Sequence, residues 1–257
     1  MNDKPDTWFL LRGLSREAGH WGRFVPDLRA ALPGAAVHTI DLPGAGTRRL
    51  TAWPDSVAAA MEHVRTDAEQ AAPIARRGRT FVFAVSLGGM IALEWAARHP
   101  EELTGGVVVG NTSAGGLSPF WHRARPNAWM RMAAAAARVE GVRRERGILA
   151  MVSNRFEVHA ETAEAWAEVA RARPMHRKNV LGQLRAAIRW RAPSHAPRVP
   201  VLLLVGAGDR MVHPSCSRTL AHRWDVPLRE HPTAGHELTL DGGAWVVDQL
   251  ARFAAEV

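Results

Sequence analysis

Six short runs of strand character alternate along the chain with helix-length segments, and each run stops at a cluster of turn residues. Thr7–Leu11 ends at Arg12-Gly13, Ala36–Ile40 at Asp41-Leu42-Pro43-Gly44, and Thr80–Val85 at Ser86-Leu87-Gly88-Gly89. A fourth run lies within 103–110. A fifth, 199–205, stops at Gly206-Ala207-Gly208-Asp209, and a short sixth, Leu228–His231, precedes Ala234-Gly235-His236. Apolar runs of this length, bounded by Gly and Pro, read as buried strands. The segments between them read as helices at 20–32, 54–77, 90–99, 214–223 and 243–254, the second opened by Pro54-Asp55-Ser56. Strands with apolar cores alternating with helices predict an α/β chain: a parallel sheet of about six strands covered on both faces.

The rhythm breaks once. Residues 112–193 contain no convincing strand and read as Arg- and Ala-rich helices near 126–138, 142–153, 160–172 and 176–190. This predicts a helical insertion over the sheet, a cap, with 1–111 and 194–257 as the core. A length of 257 residues suits one such unit. The charge follows the same division. The insertion carries 15 Lys and Arg against 6 Asp and Glu, and the rest of the chain 18 against 19, so the net +8 resides in the insertion. A concentrated positive field attracts anionic partners. The same composition is also what a GC-rich coding sequence yields. Nucleic acid is disfavoured as a partner, because the segment is not interleaved with Phe and Tyr for base stacking and matches no recognised binding module.

Several chemistries are excluded by what the chain lacks. It has no tyrosine and only two lysines, Lys4 and Lys178, so phenol chemistry is absent and Schiff-base chemistry has essentially one candidate. HExxH, paired CxxC, the GxxxxGK[ST] phosphate loop and a strand-following GxGxxG are all missing, and neither a metal nor a cofactor is expected. No uncharged apolar run reaches about 18 residues, so no membrane span is expected. Residues 1–6 are polar, without a basic segment leading into an apolar one, and Cys216 is the single cysteine. A cytoplasmic location is therefore expected.

Ligands of open parallel sheets bind outside the carboxyl ends of the strands. The residues found there are Arg12-Gly13-Leu14, Asp41, Ser86, Asn111, Asp209 and His236. A serine, an acid and a histidine, each just past a strand, can converge at one edge. A serine hydroxyl is a poor nucleophile at neutral pH. It needs a base within hydrogen-bond reach, and the base needs an acid that fixes its tautomer.

The segment Phe83-Ala84-Val85-Ser86-Leu87-Gly88-Gly89 resembles the nucleophile elbow of the α/β-hydrolases, with Ala84 in place of the first glycine. Leu11-Arg12-Gly13-Leu14 sits where that family has its oxyanion loop, with Arg12 in place of the usual histidine. Asp41-Leu42-Pro43-Gly44-Ala45-Gly46, the acid loop Gly206 to Pro214, and Ala234-Gly235-His236-Glu237 are similar to further family motifs in the family's order. The family's first two strands have no counterpart, so a minimal six-stranded sheet is expected. The overall pattern is similar to small esterases acting on pimeloyl groups carried on acyl carrier protein, and an acidic carrier suits a basic cap.

The resemblance implies an α/β-hydrolase fold and a cofactor-free serine hydrolase acting on a small-molecule acyl ester or thioester. Ser86 would attack the acyl carbon, His236 would take and return its proton, and Asp209 would orient His236. The backbone N–H groups of Leu14 and Leu87 would hold the oxyanion. The same residues also serve C–C or amide hydrolysis and perhydrolysis, and the fold also serves as a non-catalytic ligand or partner receptor. His20, near the oxyanion loop, and Trp121 and Trp129 of the insertion are candidates for lining the substrate pocket. Trp166 and Trp190 are expected mainly to pack between helices. Asp41 is expected to be a turn residue and Cys216 a packed thiol, and His213 with Cys216 lacks further metal ligands at suitable spacing.

Overall fold

The computed structural model describes residues 4–125, 130 and 141–257. Strands β1 (Thr7–Leu11), β2 (Ala36–Ile40), β3 (Thr80–Val85), β4 (Gly106–Gly110), β5 (Val201–Gly206) and β6 (Leu228–His231) form one sheet in the order β2-β1-β3-β4-β5-β6. Every pairing is parallel. The chain steps outward in one direction from β1 to β2 and in the other from β3 to β6, so the order reverses between β1 and β3. Leu11 pairs with Ala84 there, which brings the carboxyl ends of both strands side by side.

Alternation along the strands divides the core into two layers. Trp8, Leu10, Phe81, Phe83, Val108 and Leu204 pack under α1 (Phe24–Ala31) and the last helix (Gly243–Glu256). Phe9, Leu11, Val82, Val107 and Leu203 face the other way, against α2 (Val57–Ala71), α3 (Leu87–Arg98) and a helix at Ser215–Trp224. Ser56 caps α2 by accepting the Ala59 N–H at 3.0 Å.

Three expected boundaries shift, each for a local reason. The helix expected over 54–77 stops at Ala71, because Pro73 lacks the N–H that would continue it, and only a short 3-10 turn follows at Ile74–Arg76. The helix expected from residue 20 starts at Phe24, after Gly22 turns the chain with φ +52°. The fifth strand starts at Val201 rather than 199; Pro200 has no N–H for the ladder, and its carbonyl accepts the Val107 N–H at 2.9 Å.

Between β4 and β5 run α4 (Phe120–Arg123), α5 (Val142–Val152), α6 (His159–Ala172) and α7 (Arg177–Arg189). The last three match the expected helices at 142–153, 160–172 and 176–190, and the single turn of α4 was not expected. The helix expected at 126–138 lies outside the described residues. Leu149, Ala163 and Trp166 form a small core between α5 and α6, and Ala186 and Trp190 join the main core beside α3. After β5 come α8 (Ser215–Trp224), α9 (Leu238–Asp241) and α10 (Gly243–Glu256). Among the described residues no helix is long and apolar enough to cross a membrane.

Candidate active site

β3 delivers Ser86 to the carboxyl edge of the sheet beside the reversal of strand order, and α3 starts at the next residue. The turn between them is tight. Ser86 has φ 54° and ψ −116°, a conformation that side-chain-bearing residues rarely adopt and that costs energy unless its surroundings hold it. The Ser86 N–H donates to the Gly110 carbonyl at 2.9 Å, and the Thr112 hydroxyl donates to the Ser86 carbonyl at 3.0 Å. A Cβ on Gly88 would lie 2.6 Å from the Arg12 carbonyl oxygen, and one on Gly13 would lie 3.1 Å from the Ser86 Cβ. Bare backbone at both positions lets the strand ends close on one another.

His236 Nε2 stands 3.0 Å from Ser86 Oγ, and His236 Nδ1 stands 2.7 Å from Asp209 Oδ2. Asp209 is almost fully buried, and its other oxygen accepts the N–H groups of Met211 at 2.7 Å and Val212 at 2.9 Å. A carboxylate held in this way accepts from Nδ1–H and leaves Nε2 free to accept a proton from the hydroxyl. Burial alone pulls the His236 imidazole down, but the charge and hydrogen bond of Asp209, with the charge of Glu237, outweigh it and hold the ring above its ordinary value. The N–H groups of Leu14 and Leu87 have no acceptor among the described residues, and both residues border the cavity at Ser86.

Residues 6–242 match the family described as serine aminopeptidase, S33 (Hydrolase_4). The chain belongs to this family of α/β-hydrolases. It is 28% identical over 265 residues to a pimeloyl-[acyl-carrier protein] methyl ester esterase from Aromatoleum aromaticum, covering 91% of this chain and 92% of that one. A putative non-heme bromoperoxidase, BpoC, from Mycobacterium tuberculosis superposes with a TM-score of 0.77 at 20% identity, covering 99% of this chain and 94% of that one. A thermophilic esterase from Thermogutta terrifontis superposes with a TM-score of 0.73 at 17% identity, covering 98% and 90%. The structural likenesses carry the fold.

In this α/β-hydrolase, Arg12, in the place of the usual histidine, points into the protein. Its guanidinium donates to both carboxylate oxygens of Glu237 at 2.8 Å and lies over the Trp21 ring at 4.6 Å. The residue after His236 is thus tied to the loop that carries Leu14. Burial pushes the Glu237 carboxyl up, but the Arg12 charge and hydrogen bonds hold it below the usual carboxylate range. Two further ion pairs join the same loop to the insertion: Arg16 to Glu145 of α5 at 2.8 Å, and Glu17 to Arg173 at 2.7 Å. Arg16 also lies over the ring of Trp166 in α6 at 4.3 Å.

His20 belongs to this junction; it borders neither cavity at Ser86 but lines the neighbouring cavity edged by Arg144 and Arg173. It is buried, its Nδ1 accepts the Glu17 N–H at 3.2 Å, and it meets Trp166 edge-on at 5.4 Å. Burial first, then the charges of Arg16 and Arg12, push it well below the ordinary histidine value, so it is neutral. Trp121 projects from α4 with 62% of its surface exposed and borders neither cavity, whereas its neighbour Phe120 lines one of them. Trp129 lies outside the described residues. Trp190 packs in the core, its indole N–H on Glu94 at 3.0 Å. Asp41 is fully engaged by the Ala18 N–H and by the N–H and hydroxyl of Thr47. Burial raises the Cys216 thiol.

Asn111 stood on the sequence as the residue after β4, with no role assigned. Its amide donates at 2.9 Å to the carbonyls of Gly235 and His236, and its oxygen accepts the Gly206 N–H at 2.9 Å. One side chain therefore joins the loop bearing His236 to the strand leading to Asp209. Its place directly after a buried strand, on a sheet edge otherwise occupied by Ser, Asp and His, was the signal available.

Proposed function

We propose that this protein is a serine hydrolase that cleaves a carboxylic ester or thioester through an acyl-enzyme. The observation that carries the reading is the unbroken chain from Ser86 Oγ through His236 to Asp209, at 3.0 and 2.7 Å. Ser86 attacks the acyl carbon while His236 Nε2 takes its proton. The N–H groups of Leu14 and Leu87 receive the developing oxyanion, each donor being worth roughly 3–4 kcal/mol of barrier. His236 passes the proton to the leaving group, and a water molecule releases the acyl chain by the same steps in reverse.

Ester chemistry is favoured over amide chemistry by the curated relative, an esterase. An acidic acyl carrier protein as the bearer of the acyl group follows from that relative's name together with the net charge of +9 over 112–193. The folded wild type should be labelled by a fluorophosphonate and should hydrolyse p-nitrophenyl esters faster than amino-acid p-nitroanilides. Ser86→Ala should lose the label and about 10⁴-fold or more of kcat. Equal labelling of the variant defeats the proposal. With a carrier-linked ester, kcat/KM should fall steeply as salt is added.

A further inference from the structure

Two cavities open on Ser86, and they differ in kind. One, of about 70 Å³, lies under α4 and α7 and is walled by Leu87, Met90, Leu184, Ala187 and Val212. Its one charged neighbour among the described residues, Arg123, is turned onto the carbonyls of Ala187, Ile188 and Trp190 at the end of α7. The other, of about 80 Å³, lies against α5 and is bordered by Arg12, Arg16, Ile148, Val152, His236 and Glu237. Both touch Leu14, Ser86 and Met211, but His236 borders only the second.

Proton transfer fixes how a substrate divides between them. A carbon bonded to Ser86 Oγ carries three other groups: the oxyanion, the acyl chain and the leaving atom. The oxyanion points to the N–H groups of Leu14 and Leu87. As the bond from carbon to the leaving atom breaks, its electron pair stays on that atom and takes the proton that His236 Nε2 received from Ser86. The leaving group must therefore lie on the side that His236 borders, and the acyl chain takes the remaining direction.

We infer that the apolar cavity under α4 and α7 holds the acyl chain, and that the cavity between α5 and His236 holds the alcohol or thiol. This rests on the function proposed above and adds a substrate class: esters with a wholly apolar acyl group and a polar or charged leaving group. Phe120 and Ile188 border the acyl cavity and are 49% and 37% exposed, so a chain longer than the cavity emerges between them. On the other side Ser15, Arg16 and Ile148 also border a third cavity, edged by Arg144, Arg173, Glu17 and Glu145.

The test is a grid of esters read with two variants, Ala187→Phe on the acyl wall and Ile148→Trp on the leaving-group wall, each checked for folding by circular dichroism. Leu184→Trp and Ile148→Phe form a second pair should either fail to fold. Ala187→Phe should lower the octanoyl-to-acetyl ratio of kcat/KM about tenfold or more, and slow deacylation of the octanoyl-enzyme in a burst experiment. Ile148→Trp should lower the ratio for bulky over methyl alcohols by a similar factor, through acylation alone. Exchanged effects, or both variants moving both ratios, overturn the division while leaving the acyl-enzyme intact. Failure of every ester to form an acyl-enzyme overturns the proposed function, and the division with it.

Discussion

The elbow at Ser86 and the loop at 12–21 face each other across the site and are held by different forces. The elbow is held by backbone: the ladder of β3, the Ser86 N–H on Gly110, a close approach that only a glycine at 88 permits, and a tight one at Gly13. The loop is held by charges: Arg12 on Glu237, Arg16 on Glu145 and Arg173 on Glu17 join it to the loop of His236 and to two places in the insertion. Backbone close packing has no alternative arrangement, whereas an ion pair can be removed, replaced or titrated. The contrast teaches that the nucleophile's position is built into the sheet, while the oxyanion side depends on partners from distant parts of the chain.

The largest expected effect tests the elbow. Gly88→Val puts a side chain against the carbonyls of Leu11 and Arg12, neither of which can move without breaking the sheet edge. A loss of more than about 4 kcal/mol, or failure to fold, is expected in urea titration. A stable, active variant would break the first half of the comparison.

Next comes the loop. Arg12→Met leaves the buried Glu237 carboxylate without its partner and should cost about 3–5 kcal/mol, whereas Arg12→Met with Glu237→Gln should recover most of that loss. Additive losses in the double variant would show that charge is not what holds the loop. Glu237 titrates below the usual carboxylate range in the folded state, so the pair's contribution is complete above the ordinary carboxylate value. It fades as pH falls through the folded value, and the gap between wild type and Arg12→Met should close in acid.

The same pair should tune the base. His236 must be neutral to accept the serine proton, and its folded value is raised, so kcat/KM should climb with pH along a limb centred above 6.5. The Glu237 charge raises the imidazole and the Arg12 charge lowers it. Glu237→Gln should therefore move the limb to lower pH and Arg12→Met to higher pH. A pH–rate profile on a p-nitrophenyl ester reads both directions, and coincident limbs would separate the loop's charges from the base.

The smallest effect belongs to the outer tie. Arg173 is more than a third exposed, so solvent screens its pair with Glu17. Arg173→Ala should cost about 1 kcal/mol or less in thermal unfolding. A loss as large as that of Arg12→Met would mean that the loop is held from the insertion rather than from His236.

The strand ends were legible because they are local. Runs such as TFVFAV followed at once by Ser-Leu-Gly-Gly announce strand, turn and helix within a dozen residues, and of the three side chains picked from those ends His236 stands within hydrogen-bond distance of both Ser86 and Asp209. Asn111 was visible in the same list but had no chemistry to single it out, since its role is to hold backbone carbonyls that come from far along the chain. His20 was read as a pocket residue from its nearness to the oxyanion loop, and Trp121 from its place in the insertion. Folding set His20 at the junction with α6, on a cavity one step removed from Ser86, and left Trp121 facing outward. The early stop at Ala71 and the late start at Val201 are encoded in Pro73 and Pro200, whose missing N–H groups override the hydrophobic pattern.

The sequence by itself determined the order of strands and helices, the strained turn at Ser86 and the residues set at the sheet's carboxyl edge. Those depend on side-chain periodicity and on which residues lack a Cβ or an N–H. Only the tertiary structure decided which of the many arginines meet which acids, and on which side of Ser86 His236 stands. A charge pair or a cavity wall is made of residues up to 225 positions apart, and no local pattern records their meeting.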